Sequence, residues 1–459
     1  MRNFKTILTT AAIGVAMLST VSCSKDFYTK VNVNPNSPSS VPPGTLLSNV
    51  EVSLAYAQGG DASRFACLFS QQVVGQARQS ASYYQYVLGP SDPEDLWDNM
   101  YTSVMENNYT LMNTAKANGY NEYYGISNIL MAYSIQTVVD FWGSVPYSKA
   151  LQGANGGSSY EPAYDGDAAL YTTAIGLLNT GIAALENQSA GTLVPSTDDF
   201  MYGGNAASWI AFANAELARI YIHLAKHSSV AMCDSAIACV NRTGALSGGF
   251  VNAAVVFGAA STNNAPWYQF NQQRGDITFG GSFLTDSMAA ISDPRLPVYV
   301  DTVASANTLG SYFGSPASPV AFITTEELDF IAAEANVRLG NMVNAQTDYT
   351  TGVTASMNEY ATATPAITSG QIATYLAGSQ GVLSPAHALH QVALQEYFAL
   401  YLNPESWVLF RRTSSPSLVP TSGSTFPVRM IYPNSEITLN AANCPSGTSL
   451  FTPLIFWDK

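Results

Sequence analysis

Apolar residues recur at three- and four-residue steps along most of this chain, which commits it to a mostly helical fold. The period marks helices at 46–57, 96–117, 123–141, 168–185, 209–225 and 230–240. It returns at 325–339, 343–360, 371–377 and 385–402. Ser384 followed by Pro385 reads as a helix start, an N-cap before a ring-fixed first residue. Gly340 reads as a stop. Beyond it, Ala345, Tyr349 and Gly352 form a small–aromatic–small series of the tetratricopeptide type, in which small positions let neighbouring helices approach. Ala174, Leu178 and Gly181 echo it, and an ordinary helical hairpin is the plainer alternative for both. Segments 245–320 and 403–459 are rich in Gly, Ser, Pro and Asn and read as irregular loops with a few short strands.

The N-terminus carries a different signal. Arg2 and Lys5 precede an apolar run at 7–21, and the small residues Thr20 and Ser22 lead into Cys23. Charge, apolar run and small-residue cut site describe a secretory signal peptide over 1–22. A cysteine at the cut site resembles a bacterial lipobox, although Thr20 stands where leucine is usual. That reading makes Cys23 the lipidation site, bearing palmitate among its acyl chains. Residues 23–45, with the run NVNPNSP, form a lipidated tether, and 46–459 form one helical domain. No later apolar run reads as long enough for a membrane span, so the lipid is the anchor. One acyl chain contributes only ~0.8 kcal/mol per buried CH₂, and durable attachment needs more than one.

Charged residues make up 11% of the chain, against roughly 25% in ordinary globular domains. The net charge is −14, and the signal segment contributes only positive charge, so the exported chain is more acidic still. An acidic chain without a basic stripe argues against nucleic acid and against docking on anionic lipid. A surface built from Ser, Thr, Asn, Gln and Tyr suits neutral, hydroxyl-rich partners. Cys67, Cys233, Cys239 and Cys444 do not form a disulfide framework and read as buried free thiols. The sequence holds no Gly-x-Ser-x-Gly elbow, His-Glu-x-x-His, Cys-x-x-Cys, phosphate loop or EF-hand spacing. His223 and His227 lie four apart without an obvious third ligand, and His387 and His390 are weaker still, so no metal or cofactor is expected. Paired carboxylates of a glycosidase cannot be seen in sequence.

Several segments, in order, resemble the SusD/RagB-type outer-membrane nutrient-binding lipoproteins. After Cys23–Phe27 come Asp140-Phe141-Trp142-Gly143-Ser144-Val145-Pro146-Tyr147 with Ala150, then Tyr160-Glu161-Pro162-Ala163-Tyr164-Asp165. Asp199, Tyr202-Gly203-Gly204, Trp209, Phe212-Ala213-Asn214-Ala215 and Arg219 follow. Asp293-Pro294-Arg295-Leu296-Pro297, Glu327, Ala333-Glu334-Ala335, Glu405, Trp407 and Arg411-Arg412-Thr413 continue the series. Tyr432-Pro433-Asn434-Ser435-Glu436, Asn440 and Phe456-Trp457-Asp458 complete it. Most of these have structural readings. Gly143 and Pro146 shape a turn, Arg411 and Arg412 pair with Glu405 or Glu436 or stack on Trp407, and Trp97 belongs in the core.

The resemblance implies a receptor rather than an enzyme. It implies capture of an oligosaccharide, or a peptide as in the RagB kind, for delivery to a SusC-like TonB-dependent transporter. It also implies outer-membrane attachment facing the cell exterior, which Lys25-Asp26 supports only in part. Sugar faces lie on aromatic rings at about 0.5–1.5 kcal/mol each, so three rings plus hydrogen bonds give roughly millimolar to micromolar affinity. Two segments have that composition. One, 76–86, carries Tyr83, Tyr84 and Tyr86; the other carries Trp267, Tyr268 and Asn271. These are the candidate ligand-binding residues, the alternative being rings packed beneath loops. A glycan-degrading enzyme and a purely structural lid are the rival readings of the whole chain.

Overall fold

The structure, a computed structural model, describes residues 41–152, 160–188, 193–226, 229–245, 248–301 and 308–459. Cys23, the signal segment, the tether to residue 40 and His227 lie outside the described residues. Helices Glu106–Asn118, Asn121–Trp142, Asp167–Glu186, Ala206–His223, Ser229–Thr243, Thr325–Arg338 and Met342–Asn358 pack each on the next, as stacked hairpins. Among the described residues, the strands form four separate two-stranded antiparallel pairs, the longest joining Ala253–Val256 to Pro319–Ile323. The chain from Pro43 to Lys459 is one unit.

Small residues set the helix spacing. Gly125 and Gly181 face each other where the 121–142 and 167–186 helices cross. A Cβ on Gly181 would sit 2.7 Å from the Ile129 side chain and 2.9 Å from the Gly125 carbonyl. The predicted Ala345, Tyr349, Gly352 series is buried against the 325–338 helix, where a Cβ on Gly352 would come within 3.0 Å of Phe330. The 167–186 helix is long and apolar enough to cross a membrane by length and composition, which the sequence reading had not found. Here its Leu170, Ala174, Leu178, Gly181 and Leu185 face is buried.

Other boundaries differ from the sequence reading. The first helix starts at Pro43, inside the expected tether, because proline fits a first helical turn. The 96–117 segment is Glu94–Asp98, a wide π-helical turn at Asn99–Met105, then Glu106–Asn118. The 385–402 helix spans only Ala388–Ala399. Residues 385–387 form a turn before it, and the Ser384 N–H donates to Gln391 Oε1 (2.7 Å) instead of Ser384 acting as the cap. Helices Ser63–Phe69, Arg78–Tyr84, Pro266–Gln273, Phe283–Ala290 and Glu405–Thr413 stand where loops or nothing was read. Residues 405–412 are all buried, and at nine residues, Glu405–Thr413, the helix is too short for a repeating period to be read.

The interior is crossed by charge. Arg219 donates to Glu327 through Nε (2.7 Å) and Nη2 (2.8 Å), and lies 3.8 Å from Glu405. His223 Nε2 bonds Glu405 (2.7 Å) and Nδ1 bonds the Tyr171 hydroxyl (2.9 Å). Tyr171 also bonds Asp140, which accepts from Trp457 Nε1 (2.9 Å). Arg412 pairs with Glu334 rather than the expected Glu405 or Glu436, while Arg411 lies 3.9 Å above the Trp407 ring. Trp97 is core, stacked on Tyr101 at 4.6 Å. Cys67, Cys233, Cys239 and Cys444 are free thiols, and all but Cys444 are buried.

Two expectations follow. Gly181→Leu forces the helix crossing apart and should cost ~2–3 kcal/mol, read as a lower urea midpoint; an unchanged midpoint would show that the close approach carries no weight. Burial, partly offset by Arg219, pushes the Glu216 carboxyl up to about 8, and neither of its oxygens has a hydrogen-bond partner. The folded state therefore binds an extra proton between about pH 4.5 and 8, and stability falls as pH rises through that window. One such group contributes a slope of at most about 1.4 kcal/mol per pH unit. Glu216→Gln should flatten the decline in melting temperature between pH 6 and 8, and parallel profiles would refute the assignment.

Candidate functional site

Residues 74–84 and 266–278, remote in sequence, are tied into one wall. Val74 and Gly75 pair with Thr278 and Ile277, and the Gln76 N–H donates to the Asp276 carbonyl (2.8 Å). Arg274 Nη2 donates to Gln79 Oε1 (2.6 Å), and Arg78 lies 3.5 Å from Asp276. The chain enters the 78–84 helix through Arg78 at φ +51°, a left-handed conformation that few residues of its size adopt. Gly75 is required here, since a Cβ would lie 1.9 Å from the Ser80 carbonyl oxygen.

Between these segments opens a cleft of about 290 Å³. Tyr83, Phe65 and Phe270 supply its rings, and Arg64, Arg274, Gln79, Asp92 and Asp95 its polar groups. The Tyr83 hydroxyl donates to Asp92 Oδ1 (2.8 Å), and its ring centroid is 5.0 Å from that of Phe65. Burial and the bonded Asp92 raise the Tyr83 phenol above its ordinary range, so it stays a neutral donor. The Arg64 and Arg274 guanidiniums lie 4.7 Å and 5.9 Å from the Phe270 centroid. Arg64 pairs with Asp61, and Arg274 Nε donates to Asp276 (2.8 Å). Asp61, Asp92 and Asp276 are thus engaged in fixed contacts, an arrangement suited to holding a polar ligand.

Of the residues expected from sequence to touch ligand, Tyr83 lines this cleft. Tyr86 is buried, its ring beside Phe69 (6.1 Å) and its hydroxyl accepting from the Thr421 N–H (3.2 Å). Trp267 is buried too and donates to Ser63 Oγ (2.8 Å); it lines a second cavity, distinct from the cleft. Tyr84, Tyr268 and Asn271 are half-buried and line neither cavity. Phe270 and Gln79 lie in the two segments expected from sequence without being singled out there, and Arg64 and Arg274 lie outside both. Arg274 follows the 266–273 helix in extended backbone, its N–H donating to the Phe270 carbonyl (2.8 Å), so no helical period marks it.

Asp140, His223 and Glu405 offer ligand atoms within 4.8 Å of one another, the geometry of a metal site. All three are buried and bonded to one another, Tyr171 or Trp457, so they serve as a hydrogen-bonded joint between helices. His390 Nδ1 lies 3.1 Å from Ser415 Oγ, and His387 is exposed.

Comparison with known proteins agrees with this architecture. The model of a SusD-like family described as starch-binding and associating with the outer membrane matches residues 35–318 and 313–433. No protein with a curated description matches the chain in sequence. A solved SusD/RagB family protein from Bacteroides thetaiotaomicron is 20% identical, with a TM-score of 0.73 over 91% of this chain and 99% of that one. A chitin-binding SusD homologue from Flavobacterium johnsoniae is 19% identical, TM-score 0.73, covering 91% and 98%. A SusD homologue from Bacteroides fragilis is 19% identical, TM-score 0.75, covering 92% and 100%. These likenesses show the fold, and the family model spans most of the chain: it belongs to the SusD-like family.

Proposed function

We propose that this chain is a lipid-anchored receptor of the outer membrane that binds a nutrient oligomer, a glycan, and passes it to a SusC-like TonB-dependent transporter. The observation that carries this reading is the cleft between the 78–84 and 266–273 helices. It combines ring surface from Tyr83 and Phe270 with forked and amide donors from Arg64, Arg274 and Gln79. Rings accept the C–H faces of a sugar while the donors and Asp92 pair its hydroxyls. Family membership supports outer-membrane association, and the Flavobacterium johnsoniae homologue is a chitin-binding protein. The lipid at Cys23 is the proposed anchor. Binding without cleavage is proposed because Asp61, Asp92 and Asp276 already hold protein partners.

Titrating the protein with chitohexaose and maltoheptaose tests the cleft. One of them should bind with Kd between ~1 μM and ~1 mM. Tyr83→Ala and Phe270→Ala should each weaken it about two- to tenfold, the worth of one ring contact. Unchanged affinity in both variants removes the cleft, and shortening of the oligomer on incubation favours the enzyme reading. Should only peptides bind, the ligand class is wrong and the site stands.

Anchoring is tested separately. Cys23→Ser should move the protein from the membrane fraction to the soluble fraction. Retention in the membrane without an acyl group would contradict the anchor.

A further inference from the structure

A second cavity, lined by Pro266 and Trp267 of the 266–273 helix, is larger, about 390 Å³, and chemically unlike the cleft. Trp267, Tyr312, Phe313 and Tyr360 give it aromatic walls. Phe200, Val251 and Val256, which are 50%, 59% and 68% exposed, also line it and give it an apolar rim. Its charged lining residues are Glu326 and Glu359, and no Lys, Arg or His lines it. Glu326, in the first turn of the 325–338 helix, is 4% exposed. Glu359 is exposed and accepts from the Tyr312 hydroxyl (2.7 Å) and Asn252 Nδ2 (3.4 Å).

A concave apolar site with a few polar groups is the usual form of a small-molecule pocket. Carboxylates without a basic partner in its lining favour a cationic occupant, and aromatic faces attract the same charge. We propose that this cavity binds a primary ammonium ion carried on an aromatic or branched apolar body. The ammonium is directed to Glu326 and Glu359, and the body rests on Trp267, Tyr312 and Phe313. This site is independent of the glycan cleft. Burial, reinforced by Glu359, pushes the Glu326 carboxyl up to about 7. The groups that share its field are Glu359, Glu327, Asp329, Tyr299, Tyr312 and Tyr360, none of them a cation. A bound ammonium supplies the missing charge, so affinity should rise with pH as Glu326 ionises.

The test is calorimetric titration of the protein with phenethylammonium chloride, with 2-phenylethanol as the neutral isostere. The ammonium should bind at least tenfold more tightly than the alcohol at pH 8, and about tenfold more tightly at pH 8 than at pH 6. Glu326→Gln should abolish the difference between the two probes. Glu359→Gln, an exposed change that spares the fold, should reduce it severalfold, and Tyr83→Ala should leave it intact. Phe-Gly-Gly and its N-acetylated form distinguish the source of the ammonium. Binding of the free tripeptide alone identifies a peptide N-terminus, and binding of phenethylammonium without either tripeptide identifies a small amine. Equal affinity for ammonium and alcohol overturns the proposal. So does a full ammonium preference retained by both glutamate variants, or no binding by either phenethylammonium or the free tripeptide.

Discussion

The fold turns on charges that have been taken out of water in pairs. Arg219 with Glu327, Arg412 with Glu334 and Arg295 with Asp293 are all nearly inaccessible, and each arginine bonds a segment remote from it in sequence. Arg295 illustrates it: both Asp293 oxygens accept from it, and it reaches Ser356 (2.9 Å) and Gln395 (2.6 Å) on two other helices. Burying such pairs adds little net stability, because desolvation offsets most of their attraction. Removing one partner is another matter, at about 3–5 kcal/mol, since the other is left charged in a dry interior. The network thus penalises wrong helix pairings more than it strengthens the right one. In a chain with so few charges, placing this many inside also leaves the surface to neutral polar groups.

The network accounts for part of the family resemblance. Asp140, Arg219, Glu327, Glu334, Glu405, Arg412 and Trp457 are its members, and all stand in the segments that resemble the family. Asp199 does similar work locally, accepting from Trp209 Nε1 (2.7 Å) and from the N–H groups of Met201, Tyr202 and Gly204. Those residue types were visible in the chain, and so was their joint meaning as a scaffold. Their partners were not, because pairing across 78 residues or more leaves no local period. Arg412 could be assigned to Glu405 or Glu436 from sequence, and only the packing of the 325–338 helix selects Glu334.

Burial did not decide which helices were legible: 121–142 is buried along almost its whole length and reads as a helix at 123–141, while 78–84, with only Ser80 buried, does not. The 325–338 and 342–358 pair has both a stop glycine and a small-residue stripe, whereas 405–413 is too short for a repeating period to be read. The two candidate binding segments were found by composition, yet composition could not say which ring faces the cleft. Tyr83 and Tyr86 are three residues apart. The helix ends at Tyr84 and Tyr86 takes φ +61°, which turns its ring toward Phe69 and Phe426 while Tyr83 stays at the opening. Trp267, the most conspicuous ring of the second segment, is held inward by its bond to Ser63.

The cleft and the scaffold share no residues. Tyr83 and Gln79 sit on the 78–84 helix, Phe270 on the 266–273 helix and Arg274 just after it, two segments joined by a two-residue strand pair and outside those that carry the buried network. In the proposed binding site, changing Tyr83, Phe270 or Gln79 would alter recognition without leaving a buried charge unpaired, whereas Arg274 also pairs with the buried Asp276 and belongs to the wall itself. The same separation sets the strength of binding. The cleft's polar groups arrive already bonded, Tyr83 to Asp92, Arg274 to Asp276 and Gln79, Arg64 to Asp61. A sugar hydroxyl must therefore share or displace an existing hydrogen bond, and gains less than it would from an unmet donor. In the proposed receptor, preorganisation would lower the entropic cost of binding while that competition caps the enthalpy, a balance that suits both collecting cargo and giving it up.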